Sequence, residues 1–174
     1  MEFSKTLAVR QSVRKFTDEQ ITEDQLNAIL EAANAAPACM GQYDHLHLTV
    51  VQKPEILAQI NAAFQKAVND PNMQVTYGAP TVIYVSCKNE DEEIIKGCNA
   101  GVVMENMLLE AADLGLGAVY LFGVSQVLFA NEEITKLLQV PEGFRTVSAI
   151  AVGTSADVLQ ERILGIDKIS MTTL

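Results

Sequence analysis

The sequence predicts an α+β domain, a central sheet with helices on its faces, and three observations carry that prediction. A near-continuous apolar run, "APTVIYVSC" at 79–87, has the composition of a strand covered on both faces. A stretch at about 94–114, containing "NAGVVMENMLLEAADLG", reads as a helix that is apolar on nearly every side. Helical and strand patterns are mixed without a strict βαβ rhythm.

The elements follow in chain order. Residues 22–36, "TEDQLNAILEAANAA", form an amphipathic helix, with Thr22 and Gln25 as a capping box and Leu26, Ile29, Leu30 and Ala33 as its apolar stripe. Pro37 ends it. "LHLTVV" at 46–51 is rich in β-branched residues and reads as a strand. Pro54 opens a helix to about Val68, because proline suits a first helical turn, and "DPN" at 70–72 breaks the chain again. After the strand at 79–87, the acidic run "NEDEE" at 89–93 favours a helix N-terminus through the helix dipole. In the helix that follows, only Glu105, Asn106, Glu110 and Asp113 interrupt the apolar residues. Such a helix is buried centrally or shared with a second subunit. Gly115 and Gly117 turn the chain into a short strand, "AVYLF" at 118–122, ending at Gly123. A helix at about 126–138 and a last strand at 144–153 complete the pattern, and the final twenty residues have weak periodicity.

A length of 174 residues without repeats, low-complexity tracts or linkers predicts a single domain, 1–174. The net charge of −10 disfavours nucleic acid and anionic membranes as partners. No apolar stretch reaches the ~20 residues of a membrane helix, and the start lacks a secretory signal. Three cysteines, Cys39, Cys87 and Cys98, without CxxC spacing, suit reduced thiols in the cytoplasm. His45 and His47 share a face two residues apart, but no carboxylate or thiol cluster accompanies them in sequence, so they read as structural and no metal is expected.

One stretch stands out. "AVRQSVRKF" at 8–16 places Arg10, Ser12 and Arg14 at spacing two in a chain with only 12 Lys+Arg. They decorate a surface turn or they hold a small anion. On extended backbone all three point the same way, and guanidinium groups bind phosphate through paired charge-assisted hydrogen bonds.

Five segments, in order, resemble the FMN-dependent nitroreductase family over most of the chain. They are "RQSVRKF" (10–16), "ITEDQLNAILEAANAAP" (21–37), "GAPTVIYVS" (78–86), "NAGVVMENMLLEAADLGLGAVYLFG" (99–123) and "VPEGFRTVSAIAVG" (140–153). The resemblance implies a nitroreductase-like fold with a mostly antiparallel sheet, and a homodimer with FMN at the subunit interface. It implies that NAD(P)H and a small-molecule substrate (nitroaromatic, quinone or enone) bind one open flavin face in turn, a ping-pong reaction. Arg10 is then the phosphate ligand, Ser12 and Gln11 lie along the flavin, and Arg14 approaches the N1/O2 edge, where a cation stabilises the reduced ring.

The family loop beside the flavin corresponds to Pro37, Ala38, Cys39, Met40 and Gly41. Ala38 replaces the usual hydroxyl and the usual Asn is missing, as in a short-chain branch with a "GMG-x-Y" loop, so contacts from Gln42 or Tyr43 are not implied. Cys39 is a reactive thiol near the ring or a small packing residue. Asn72 is a flavin pyrimidine ligand or a turn residue of "DPN". Leu121, Phe122 and Gly123 fall where the family supplies backbone groups near flavin N5, and a glycine admits close approach. Arg162 and Lys168 are the candidates for a basic residue returned to the phosphate. The resemblance names no catalytic side chain, since water can protonate the product. Other readings are a flavoenzyme of this fold with different chemistry, such as dehalogenation or oxidation, and a flavin-binding protein with a sensory or storage role.

Overall fold

A computed structural model of the chain describes residues 1–123, 127 and 131–174. Its elements are α1 (Phe3–Val9), α2 (Glu23–Asn34), β1 (Leu46–Val51), α3 (Pro54–Val68), β2 (Thr81–Lys88), α4 (Glu93–Asp113), β3 (Gly117–Tyr120), α5 (Glu132–Leu137) and β4 (Phe144–Gly153). The strands form one antiparallel sheet in the order β1-β2-β4-β3. Helices cover both faces, because successive strand side chains point to opposite sides. Ile83, Val85, Ile150 and Val152 pack with residues of α2 and α4, whereas Val82, Tyr84, Ala149 and Ala151 pack with residues of α3 and α5. The α+β expectation therefore holds, and β2 is covered on both sides as its apolar run predicts. No helix among the described residues is long and apolar enough to cross a membrane.

The local signals act as read. Thr22 Oγ1 accepts from Gln25 N–H while the Gln25 side chain accepts from Thr22 N–H. Pro54 occupies the first turn of α3, and Asn69 closes that helix in the left-handed conformation. Of the helix expected at 126–138, α5 is the described part; residues 126 and 128–130 lie outside the described residues. The short helix α1 has no side-chain N-cap and no sequence signal, and tertiary contacts hold it. The N-terminal ammonium and Thr6 Oγ1 both donate to the Asp113 carboxylate, at 3.0 and 2.8 Å.

The histidines do not share a face. His45 belongs to a 3₁₀ turn, Tyr43–His45, where Nδ1 lies 2.7 Å from Asp91 Oδ1, while His47 stands in β1, edge-on to Phe144. The fold thus gives His45 a carboxylate partner 46 residues away in sequence. Burial, with the Asp91 charge nearby, pushes the Cys87 thiol up to about 11, so it stays protonated at neutral pH.

α4 is the central helix. Ala100, Val103, Met104, Met107, Leu108, Ala111 and Ala112 are buried within the chain's own fold. Its open side consists of Ile94, Gly97, Cys98, Gly101 and Glu105, narrower and smaller in side-chain size than the apolar surface expected over 100–112. At its start, the Lys96 side chain is 3% exposed; Nζ donates to Asn89 O and to Glu93 Oε1. Glu93 also accepts from Arg145 on β4.

The segment after α1 runs in extended conformation along the free edge of β3. Ser12 pairs with Ala118 in a parallel bridge, Val13 N–H donates to Ala118 O at 3.0 Å, and Phe16 pairs with Ser155. Gly117 makes this approach possible: a Cβ there would stand 2.9 Å from both Val13 γ-methyls.

Two predictions follow from these contacts. Hydrogen bonds from Arg145, then Lys96, hold the Glu93 carboxyl below its ordinary 4.5. A carboxyl depressed in the folded state stabilises the fold above its unfolded pKa and loses that contribution as pH falls through the folded value. Urea midpoints of the wild type should therefore decline below about pH 4.5, and Glu93→Gln should flatten this acid limb; superimposable limbs would rule the contact out. Gly117→Ala should lower stability by ~1–3 kcal/mol through overpacking, and Val13→Ala should recover most of that loss in the double variant. A loss unaffected by Val13→Ala would remove the proposed contact from the account.

Candidate functional site

The edge segment is the basis of the candidate site. Val13 is 6% exposed and points into the core, so the alternation of extended backbone turns Ser12 and Arg14 to solvent. Arg10 stands at the junction with α1: its N–H closes the helix on Thr6 O, and its half-buried guanidinium has Nε 3.9 Å from Glu105 Oε1 of α4. Arg14 Nη1 donates to Ser12 O at 3.4 Å, and its guanidinium carbon lies 5.9 Å from the centre of the Tyr77 ring. Beside the segment, a cleft of about 220 Å³ is lined by Ser12, Arg14 and Lys15 opposite Ser155, Asp157 and Leu159.

The C-terminal segment returns to this end of the molecule. Arg162 Nη2 and Nε donate to Leu7 O at 2.7 Å and Ala8 O at 3.2 Å, and its N–H also donates to Ala8 O. A cation at a helix C-terminus is favourable through both the orphan carbonyls and the dipole. Arg162 therefore steadies α1, the helix that delivers Arg10. Lys168 is exposed. Gln11 reaches the same strand of chain, with Nε2 donating to Gln160 O at 3.3 Å and to Val9 O at 3.4 Å.

The other expected contacts are placed as follows. Asn72 is exposed in the turn after α3, where its backbone N–H donates to Asp70 Oδ1, the local side-chain bond of a turn aspartate. Leu121 is buried, and its N–H is bonded to Ala149 O, whereas Phe122 and Gly123 are exposed. Among the described residues, no heavy atom lies within 4 Å of where a Cβ of Gly123 would stand. Pro37, Met40 and Gly41 are exposed and Ala38 and Cys39 half-buried, on a turn held by Cys39 N–H donating to Asn99 Oδ1 of α4 at 2.9 Å.

That last contact separates two groups of residues. Asn99 and Glu105 are six positions apart on α4, roughly 9 Å along the axis and about 120° around it. Within one chain, the turn at 37–41 and Arg10 thus attach to different sides of the helix. Sequence reasoning passed over Tyr77, Asn99 and Glu105. Nothing in their local pattern marks them, because each matters through a partner distant in sequence.

A larger cleft, about 780 Å³, opens between α3 and the chain at 74–80. Its lining includes Asp18, Gln20, Gln52 and Asn61 but no cation, so it does not suit a phosphate. The chemistry, not the volume, selects the edge segment.

Comparison with known proteins identifies relatives of this chain. Residues 7–154 match the model of the Nitroreductase family. A protein of Methanothermobacter thermautotrophicus is 30% identical over 90% of this chain and 79% of its own length. One of Archaeoglobus fulgidus is 30% identical over 90% of this chain and 87% of its own. Both are provisionally named NADH dehydrogenase/NAD(P)H nitroreductase. A nitroreductase of Bacteroides fragilis, crystallised with bound FMN, superposes with a TM-score of 0.84 over 99% of this chain and 100% of its own, at 27% identity. By a family match that spans most of its length and relatives that cover nine-tenths of it, this chain belongs to the nitroreductase family, a family of oxidoreductases.

Proposed function

We propose that the chain is an FMN-dependent oxidoreductase of the cytoplasm that takes hydride from NAD(P)H and passes it to small electrophiles such as nitroaromatics, quinones or enones. Reductant and acceptor use one open face of the flavin in turn. The observation that carries this reading is the segment 10–14, pinned at Ser12 and Val13 to the free edge of β3, with Ser12 and Arg14 exposed and Arg10 at the junction with α1. FMN in the Bacteroides fragilis relative supports the cofactor, and the names of the archaeal relatives support the reductant.

The residues fit the group. Arg10 would neutralise the phosphate through charge-assisted hydrogen bonds, with Arg162 keeping α1 in place behind it. Ser12 and Gln11 would lie along the flavin, and Arg14 would set its charge at the pyrimidine edge, favouring the reduced form. Asn72 would add a pyrimidine hydrogen bond, and the backbone at Phe122 and Gly123 would meet the central ring. Bound FMN supplies the hydride chemistry. The protein supplies position and charge, and no side chain has to act as acid or base.

A second copy would complete the site. The open side of α4 carries Gly97, Cys98 and Gly101, and among the described residues no atom outside the helix's own backbone lies within 4 Å of a Cβ position at either glycine, so another backbone would approach closely. In a two-fold pair crossing near Gly101, the Asn99 end of one helix faces the Glu105 end of the other. The turn at 37–41 would then reach its partner's Arg10 and Arg14.

Arg10→Ala should weaken FMN retention by roughly 10–100-fold, in line with a lost charged hydrogen-bond partner, as read from flavin absorbance after dialysis. Undiminished retention would overturn the reading. Gly101→Trp should convert the dimer to a monomer in sedimentation and release FMN with it; a dimer that keeps its flavin would place the interface elsewhere.

A further inference from the structure

We infer that Tyr77 is a positioning residue: its ring holds the Arg14 guanidinium in the orientation in which it meets the flavin. The inference deepens the oxidoreductase reading and rests on it for the flavin, but not for the contact itself. Arg14 is exposed, on a flexible side chain, and among the described residues no carboxylate pairs with it. Its two contacts are a 3.4 Å hydrogen bond to Ser12 O and the Tyr77 ring, 5.9 Å from the guanidinium carbon to the centroid. A guanidinium over an aromatic face is attracted by the ring quadrupole, and the ring also narrows the rotamers open to the arginine.

The backbone at this place points the same way. Tyr77 has φ 55° and is followed by Gly78 at φ 77°. The left-handed region is costly for a bulky side chain, and such residues persist where surrounding structure imposes them. Asn69, another non-glycine residue in this region, caps α3; Tyr77 caps no helix. Its neighbours Thr76 and Ala79 are buried and Ala79 N–H donates to Thr76 O, so the turn is anchored on both sides of the exposed ring. The tyrosine is 37% exposed, a large aromatic turned outward onto a cation rather than inward to the core.

A guanidinium already in place lowers the cost of ordering it when the reduced flavin gains negative charge. Loss of the ring should therefore reduce the preference for reduced over oxidised FMN by 2–5-fold, the range of an exposed cation–π contact, or about 10–20 mV for a two-electron couple. FMN retention through Arg10 should change less than this preference.

The test compares wild type, Tyr77→Phe and Tyr77→Leu. In the flavin-free protein, ¹⁵N relaxation at Arg14 Nε should report a restrained side chain in wild type and Tyr77→Phe and a mobile one in Tyr77→Leu. In the FMN-loaded protein, the midpoint potential should be unchanged by phenylalanine and lowered by leucine. Equal Arg14 mobility in all three proteins, or an unshifted potential in Tyr77→Leu, would overturn the inference. If Tyr77→Leu does not fold, the wild-type relaxation decides: a freely mobile Nε overturns it and a restrained one supports it. A wild type with a restrained Arg14 that takes up no FMN would uphold the placement and overturn the oxidoreductase reading instead.

Discussion

Val13 lying across Gly117, with its amide bonded to Ala118, is the contact on which the proposed site depends. It joins the extended chain at Ser12 and Val13 to the free edge of β3 and sets which of its residues face inward. With Val13 inside, Ser12 and Arg14 are outside, because a strand has no third option. A slip of one residue would bury Arg14 and expose Val13, a change that costs both a stranded cation and lost apolar burial. Glycine at 117 and an apolar residue at 13 thus protect the direction of the arginines without touching a ligand.

α4 organises the rest. One side of it is the centre of a core with α2 and the sheet, and Asn106 Nδ2 donates to Ala32 O of α2 at 3.0 Å. Its polar residues serve as attachment points at separate heights: Lys96 for the chain just after β2, Glu93 for the start of β4, Asn99 for the turn at 37–41, Glu105 for Arg10, Asp113 for α1. A helix that is apolar almost all round has few polar positions, and in this chain most of them are used to hold a neighbouring segment.

Charge is arranged against the average. The chain carries −10, yet Arg10, Arg14, Lys15 and Arg162, four of 12 Lys+Arg, gather around the end of α1 and the edge of β3. A local group of cations in an acidic protein selects small anions that fit among them and repels extended polyanions. Glu105, 3.9 Å from Arg10, tempers that field and gives the guanidinium a partner when no phosphate is present.

The sequence by itself determined the α+β class, the bounds of β1, α3 and β4, the capping box of α2, the family, and the alternation of residues 12–14. These rest on signals that span one helical turn or one strand: caps, periodicity, β-branched runs, and a motif order shared with relatives. Other features appeared only with the tertiary structure. α1 forms without a local cap because Asp113 and Arg162 hold its two ends. His45 finds Asp91, Cys39 finds Asn99, and Arg14 finds Tyr77, each across 46 residues or more. Such pairs are decided by strand register and by the packing of helices on the sheet. Those are properties of the whole chain at once, and no short window of sequence records them.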